Sequence, residues 1–430
     1  MPTSKYAELV LDAERRRQRT VTAMLKGSLR ESFSFEDYRA LVHTHGPWVR
    51  PLKEANDHIT VPIEEVEKAK KAYEDVASYL MQKLGWPREA VRVLPQGSAS
   101  TQTLIRSPDN SKFDIDAVCA VDLARIGYIG PMEFFEKIGA SLERFEPTAK
   151  KRCWNIPFSG EPFYLEFTPS VPMDQVPAQV REAITASFIP TRDYSDTALA
   201  VVDCPSRNWK PSNPEGIAKW VNDAASLRLV REVLVASFAD AKAASIAPVP
   251  EQDVDIADTL RVAIRLFKRH RDMCVRRNKI EKDYQPISII IVTLLTSCYM
   301  GLAHNERSFD HALRVLMELA ELLPGMVVEK NGRYYVDNPT VEGENFAERW
   351  NGDGGERYNA FILWCEMLQA DLRVILAAND PQDIRDTVRR VFGCSPDRSG
   401  GGGGAGGGGG SKVSGSAPVV PPVPATQGLA

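Results

Sequence analysis

Hydrophobic positions along this chain follow two spacings, and the change from one to the other divides it. Thr60 and Pro62 signal a helix start, and Glu64 to Leu84 has helical composition with acidic residues in its first turn; Gly85-Trp86-Pro87 stops it. Val91 and Val93 then share one face and predict a short strand over 90–94. A helix is expected over 132–145. Phe163, Leu165 and Phe167 alternate with Tyr164, Glu166 and Thr168, the two-residue period of a half-buried strand. Near residue 205 helix spacing takes over. Ser212-Asn213-Pro214-Glu215 carries capping chemistry with Pro in the first turn. Ile256, Leu260, Ile264 and Phe267 predict a helix over 254–271, and more helices are expected over 311–323, 360–377 and 380–392.

One apolar run, 287–303, lacks charged residues, but it is short for a membrane span and contains Ser288, Thr293, Thr296 and Ser297. It reads as a buried helix, and the N-terminal segment has no apolar signal-peptide core, so a soluble cytoplasmic protein is expected. A length of 430 residues suggests two domains plus extras, and 43% hydrophobic with 26% charged residues is globular composition. The net charge of -4 argues against a chain that coats nucleic acid. Seven scattered cysteines without a Cys-x-x-Cys pair fit buried free thiols in a reducing compartment. The basic cluster Arg15 to Arg19 reads as a solvated face. His43 and His45, with no third ligand nearby, read as a loop pair and not a metal site.

The chemistry concentrates in Lys112-Phe113-Asp114-Ile115-Asp116-Ala117-Val118. In a strand, Asp114 and Asp116 point to the same side, where like charges repel. Folding does not require that pairing; a pair of divalent metal ions does. In nucleotidyl transfer a hydroxyl attacks the alpha-phosphate of a nucleoside triphosphate while pyrophosphate leaves, and carboxylates on adjacent strands hold two ions about 3.5–4 Å apart. Asp114 and Asp116 are expected to bridge the metals and Glu166 to complete the site. Magnesium suits an all-oxygen set, with manganese as the substitute. Gly97 permits close backbone approach to phosphate, and the Ser98 hydroxyl with nearby N–H groups can grip it. Asp122 shares the parity of the pair but reads as a cap past the strand end.

The layout Gln96-Gly97-Ser98, Thr101-Gln102-Thr103 and Asp114-Ile115-Asp116 resembles the bacterial cGAS/DncV-like nucleotidyltransferases of anti-phage CBASS systems. Trp209-Lys210-x-Ser212-Asn213-Pro214-Glu215-Gly216, Leu266-Phe267-Lys268-Arg269-His270-Arg271-Asp272, Pro286-Ile287-Ser288 and Asn338-Pro339 through Trp350 extend the resemblance over about residues 50–395. It implies an α+β fold: a polymerase-beta-like core with a mixed sheet (1–205, with N-terminal helices) and an OAS-like helical domain (206–395), NTPs binding in the cleft between them. It further implies synthesis of a cyclic di- or trinucleotide from NTPs, ATP among them, which activates a separate effector. By resemblance Gln96, Gly97, Ser98, Lys268 and Ser288 contact nucleotide, the last two through the donor triphosphate. Glu166 departs from the aspartate commonly found at the third acidic position. No Cys/His zinc insertion is present, so direct activation by double-stranded DNA is not expected.

Residues 396–430 leave globular composition. Gly400 to Gly410 is nearly all glycine and 411–430 lacks periodicity, so a flexible tail is expected, read as native in preference to an engineered linker. Some members of the resembled family carry a mobile C-terminus that a ubiquitin-transfer-like E1/E2 partner conjugates to a target. Gly428-Leu429-Ala430 suits such attachment at Ala430, an unselected disordered end being the plain alternative. Two other functions use the same residues: template-independent synthesis of linear 2′-5′ oligonucleotides or RNA tails, and a non-catalytic nucleotide sensor. Clustered bare carboxylates argue against the sensor.

Overall fold

Helices α1 (Lys5–Gly27), α2 (Val49–Ile59) and α3 (Ile63–Leu84) come first. Gly85 ends α3 in the left-handed conformation, φ 64°, where glycine carries no Cβ penalty. Strand β1 (Val91–Gln96) runs into a one-turn helix α4 (Gly97–Ser100), and β2 (Phe113–Val121) follows. Asp122 caps the short α5 (Leu123–Ile126) by accepting from the Ala124 N–H, as its position past the strand predicts. Then come α6 (Pro131–Ser141), β3 (Thr148–Ala149), β4 (Trp154–Pro157), β5 (Phe163–Pro172), β6 (Leu199–Asp203) and β7 (Asn208–Ser212). The later half holds α7 (Pro214–Ser226), α8 (Thr259–Arg276), α9 (Ser288–His304), α10 (Ala312–Leu322), β8 (Val328–Lys330), β9 (Arg333–Tyr335), α11 (Glu356–Ala377) and α12 (Pro381–Phe392). The computed structural model describes residues 4–27, 47–109, 112–178, 194–230 and 248–394. His43, His45 and the segment 396–430 with Ala430 lie outside the described residues.

The sheet is mixed. Its order is β1-β2-β5-β4-β3, with β6 also on β5 and β7 on β6. Only β2 and β5 pair in parallel among the described strands. A parallel pair needs a long crossover, supplied here by α5, α6 and the β3–β4 hairpin. One core lies under this sheet, where Tyr73 of α3 and Phe134 of α6 bury against Ile115 and Phe167. A second core gathers the later helices around Trp220, Phe267, Leu295 and Trp364.

Several expected boundaries move. The helix expected from Val254 begins at Thr259, because Asp258 caps it by accepting from the Arg261 N–H, and it continues to Arg276. The helix expected from Ala360 starts at Glu356. The resemblance places the N-terminal helices with the sheet, yet Val10 and Ala13 of α1 and Leu52 and Ile59 of α2 bury in the helical core. Gly301 of α9 explains part of this: a Cβ there would lie 2.3 Å from the Tyr6 carbonyl, so only glycine lets α1 pack so closely. The division expected at 205/206 falls inside the β6–β7 hairpin, where Asp203 pairs with Asn208. The apolar run forms α9, nearly all buried against its neighbours. No helix among the described residues is long and apolar enough to cross a membrane. All seven cysteines are free thiols.

Asp203 anchors that hairpin. Its carboxylate accepts from Ser206 Oγ at 2.7 Å and from Arg152 Nε at 3.1 Å. Burial pushes its pKa up, but the Ser206 and Arg152 bonds outweigh that and bring it down to about 2. A depressed carboxylate stabilises the fold above its unfolded pKa and loses that contribution as pH falls through the folded value. Asp203→Asn should therefore cost about 2 kcal/mol at pH 7 in denaturant melts. The gap to wild type should close between pH 4 and pH 2.

Candidate active site

Strand register assembles the acidic residues. In the parallel β2–β5 pair Asp114 sits opposite Tyr164 and Asp116 opposite Glu166. Across the outer pairs, Gln96 of β1 lies opposite Asp116 and Asn155 of β4 opposite Glu166. Gln96, Asp116, Glu166 and Asn155 thus form one polar row across four strands, since residues in register share a face. Hydrophobic Phe113, Ile115, Phe163 and Leu165 point the other way, into the sheet core.

The turn after β1 closes over this row. Gly97 has φ 64°, and a Cβ there would lie 2.0 Å from Asp116 Oδ2. Glycine is thus required twice, for its backbone angle and for the carboxylate packed against it. The role expected for Gly97, close approach to phosphate, shares the position with this second demand. Ser98 and Thr103 are tied to α8 by Lys268, whose Nζ donates to Ser98 Oγ and to the Thr103 carbonyl, each at 2.8 Å. Arg261 Nε donates to the Thr101 carbonyl at 3.0 Å, and Gln252 Nε2 to the Ala99 carbonyl at 2.9 Å. The loop is therefore held from the helical side at four points. Gln96 is committed to Thr168 Oγ1 at 2.9 Å. Ser288 opens α9, and its hydroxyl accepts from Arg271 Nη1 at 3.2 Å.

These groups border a cleft of about 680 Å³ with the sheet on one side and α8 and α9 on the other. Gln96, Gly97, Ser98, Asp114, Asp116, Lys268 and Ser288 all reach its wall; Glu166 does not. Cys153 Sγ donates to Glu166 Oε2 at 3.3 Å, and Asn155 lies opposite Glu166 on β4. Among the described residues no three His, Cys, Asp or Glu side chains converge as they stand into a group that could hold a metal ion.

Electrostatics mark the row as costly. Burial raises the Asp116 pKa well above the carboxylate range; Asp114 and then Glu166 raise it further, and Lys268 opposes them. Burial also raises Glu166, with the charge of Asp114 adding to it while Cys153 and Asn155 pull it back. Burial lowers Lys268 to about 8, aided by Arg271. Arg271, present in the 266–272 motif without an assigned role, adds positive charge to the cleft wall together with Arg276 and Lys282, which no motif singled out. Lys268, Arg271, Asp272, Val275 and Arg276 fall at helix spacing, so the stripe on α8 was available as a signal.

No protein-family profile matches the chain. A c-di-GMP synthase of Roseivirga ehrenbergii is 24% identical over 311 residues, covering 71% of this chain and 73% of that protein. Among solved structures, the CD-NTase CdnG of Bradyrhizobium diazoefficiens in complex with GTP is 18% identical, with a TM-score of 0.53 over 81% of this chain and 99% of its own. The CdnC:HORMA-deltaN complex of E. coli MS115-1 gives 13% identity and a TM-score of 0.50 over 79% and 95%. The chain has the α+β, polymerase-beta-like fold of the CD-NTases. The resemblance read from its motifs is borne out.

Two outcomes follow from the site's packing. Gly97→Ala should destabilise the protein by about 1–3 kcal/mol, and adding Asp116→Ala should recover part of that loss; a double-mutant cycle in denaturant reads the coupling. Lys268 binds fewer protons folded than unfolded between about pH 8 and its ordinary pKa near 10. Wild type should therefore gain stability over Lys268→Met as pH rises from 8 to 10.

Proposed function

We propose that this chain is a nucleotidyltransferase that joins NTPs into a cyclic dinucleotide. The observation that carries the reading is the polar row itself: Asp116 and Glu166 side by side in register, Asp114 two residues away on the same face, and Lys268 buried beside them. The similarity to a c-di-GMP synthase supports the class of product and makes GTP the first substrate to test. A role in anti-phage signalling rests on the resemblance alone, as does conjugation of Ala430 by an E1/E2 partner.

The carboxylates fit a magnesium or manganese site by their chemistry. The donors are hard oxygens, and burial together with the charges of Asp114 and Glu166 raises the Asp116 pKa, a cost that a bound dication would offset. Asp114, Asp116 and Glu166 would hold the ions. When bound, two such ions lower the pKa of an attacking hydroxyl and neutralise the leaving phosphates.

The protein's own groups account for binding and orientation. An ammonium has three N–H donors, and Lys268 spends two on Ser98 and Thr103. The third is available to a phosphate oxygen. Ser98 accepts from Lys268, which leaves its own O–H to donate to the same triphosphate. Ser288 stands likewise with Arg271. A hydroxyl of one nucleotide attacks the alpha-phosphorus of the other, the new O–P bond forms and pyrophosphate departs; repeating this within the linear intermediate closes the ring. The four-point clamp on the 97–103 loop keeps the phosphate grip in place for both rounds.

The test is direct. Full-length protein incubated with Mg2+ and the four NTPs should give phosphatase-resistant products with the masses of cyclic dinucleotides. Asp114→Ala with Asp116→Ala should remove them. Product that persists in the double variant would overturn the assignment.

A further inference from the structure

Glu166 occupies a different place from its two partners. Asp114 and Asp116 border the cleft, while Glu166, level with Asp116 in the sheet, does not. Its carboxylate leans toward β4, where Cys153, just before the strand, donates from Sγ to Oε2 at 3.3 Å and Asn155 stands opposite it in register. The strand that holds it is itself anchored. Lys150 N donates to the Cys153 carbonyl at 2.8 Å, and Cys204 N donates to the Lys151 carbonyl at 2.9 Å. Arg152, next to Cys153, bonds Asp203 at 3.1 Å and Glu344 at 3.5 Å. Cys153 and Asn155 therefore cannot follow Glu166 if it moves toward the cleft. Glutamate can move where aspartate could not, because its extra methylene adds a rotatable bond between backbone and carboxylate.

We propose that Cys153 and Asn155 are positioning residues that hold Glu166 withdrawn, so that it joins Asp114 and Asp116 only by breaking the Cys153 bond and leaving its polar neighbour Asn155. Divalent-cation affinity in the nucleotide-free protein is then set from β4. A thiol is a weak donor, so the hold is light enough to release. This inference rests on the nucleotidyltransferase reading of the site. It gives the glutamate at the third acidic position a physical role: reach between two seats.

Mn2+ titration of nucleotide-free, full-length protein, followed by the electron paramagnetic resonance of free Mn2+, tests it. Wild type should bind Mn2+ at a site removed by Asp114→Ala with Asp116→Ala. Cys153→Ala and Asn155→Ala should each tighten that binding by about three- to tenfold, the worth of one hydrogen bond. Cys153→Ser, which restores a donor, should return it to wild type or weaker. In a Glu166→Ala background Cys153→Ala should change nothing. Unchanged affinity, weaker binding in both alanine variants, or a gain that survives Glu166→Ala would each overturn the inference while leaving the functional reading intact. If wild type shows no Mn2+ site dependent on Asp114 and Asp116, both fall.

Discussion

The parallel pairing of β2 with β5 places Asp116 beside Glu166 and keeps Asp114 on the same face. Folding alone opposes this arrangement, since like charges repel and burial raises the pKa values of Asp116 and Glu166. The apolar faces of the same strands hold it together. Ile115, Phe163, Leu165 and Phe167 bury in the sheet core, and a slip of one residue would turn them outward and carry the acids inward. Hydrophobic register on one face therefore enforces electrostatic strain on the other.

Helix α8 balances part of that strain and carries its own. Arg261, Arg265, Lys268, Arg269 and Arg271 are all buried along it. Several of these cations donate to backbone carbonyls: Arg261 to Thr101, Lys268 to Thr103, Arg269 to Phe392 and Arg271 to Pro286. A buried charge is tolerable when its donors are satisfied, and these carbonyls each satisfy one; Arg265 is the exception, with Nη2 donating to Thr60 Oγ1 while its Nε and Nη1 are buried without a partner among the described residues. The Arg261 and Lys268 bonds also fasten the helical side to the 97–103 loop. Fold cohesion and the geometry of the cleft thus share one set of interactions, and loss of a cation on α8 touches both.

Local patterns made much of this legible. The alternation around Asp114 and Glu166, the Asn213-Pro214 helix start and the Gly85 stop each follow from one or two residues, and each appears as read. Helix α8 was misplaced at its start because its apolar spacing reaches back to Ile256, while the Asp258 cap decides where the backbone turns helical. Strands β4, β6 and β7 escaped notice because they are only four or five residues long, too short for a period of two to stand out. The placement of α1 with the later helices escaped for a related reason: it depends on Gly301 and Gly325, far away in the chain, leaving room for it.

By itself the sequence determined which residues carry charge, which face of each strand they occupy and which helices begin at Asn213 and Asp380, because propensity, parity and capping act within a few residues. Only the tertiary structure decided that Glu166 lies level with Asp116, that Lys268 reaches Ser98, and that Cys153 donates to Glu166. Those facts join residues from 13 to 170 positions apart. They depend on sheet register and helix packing, which no local pattern encodes.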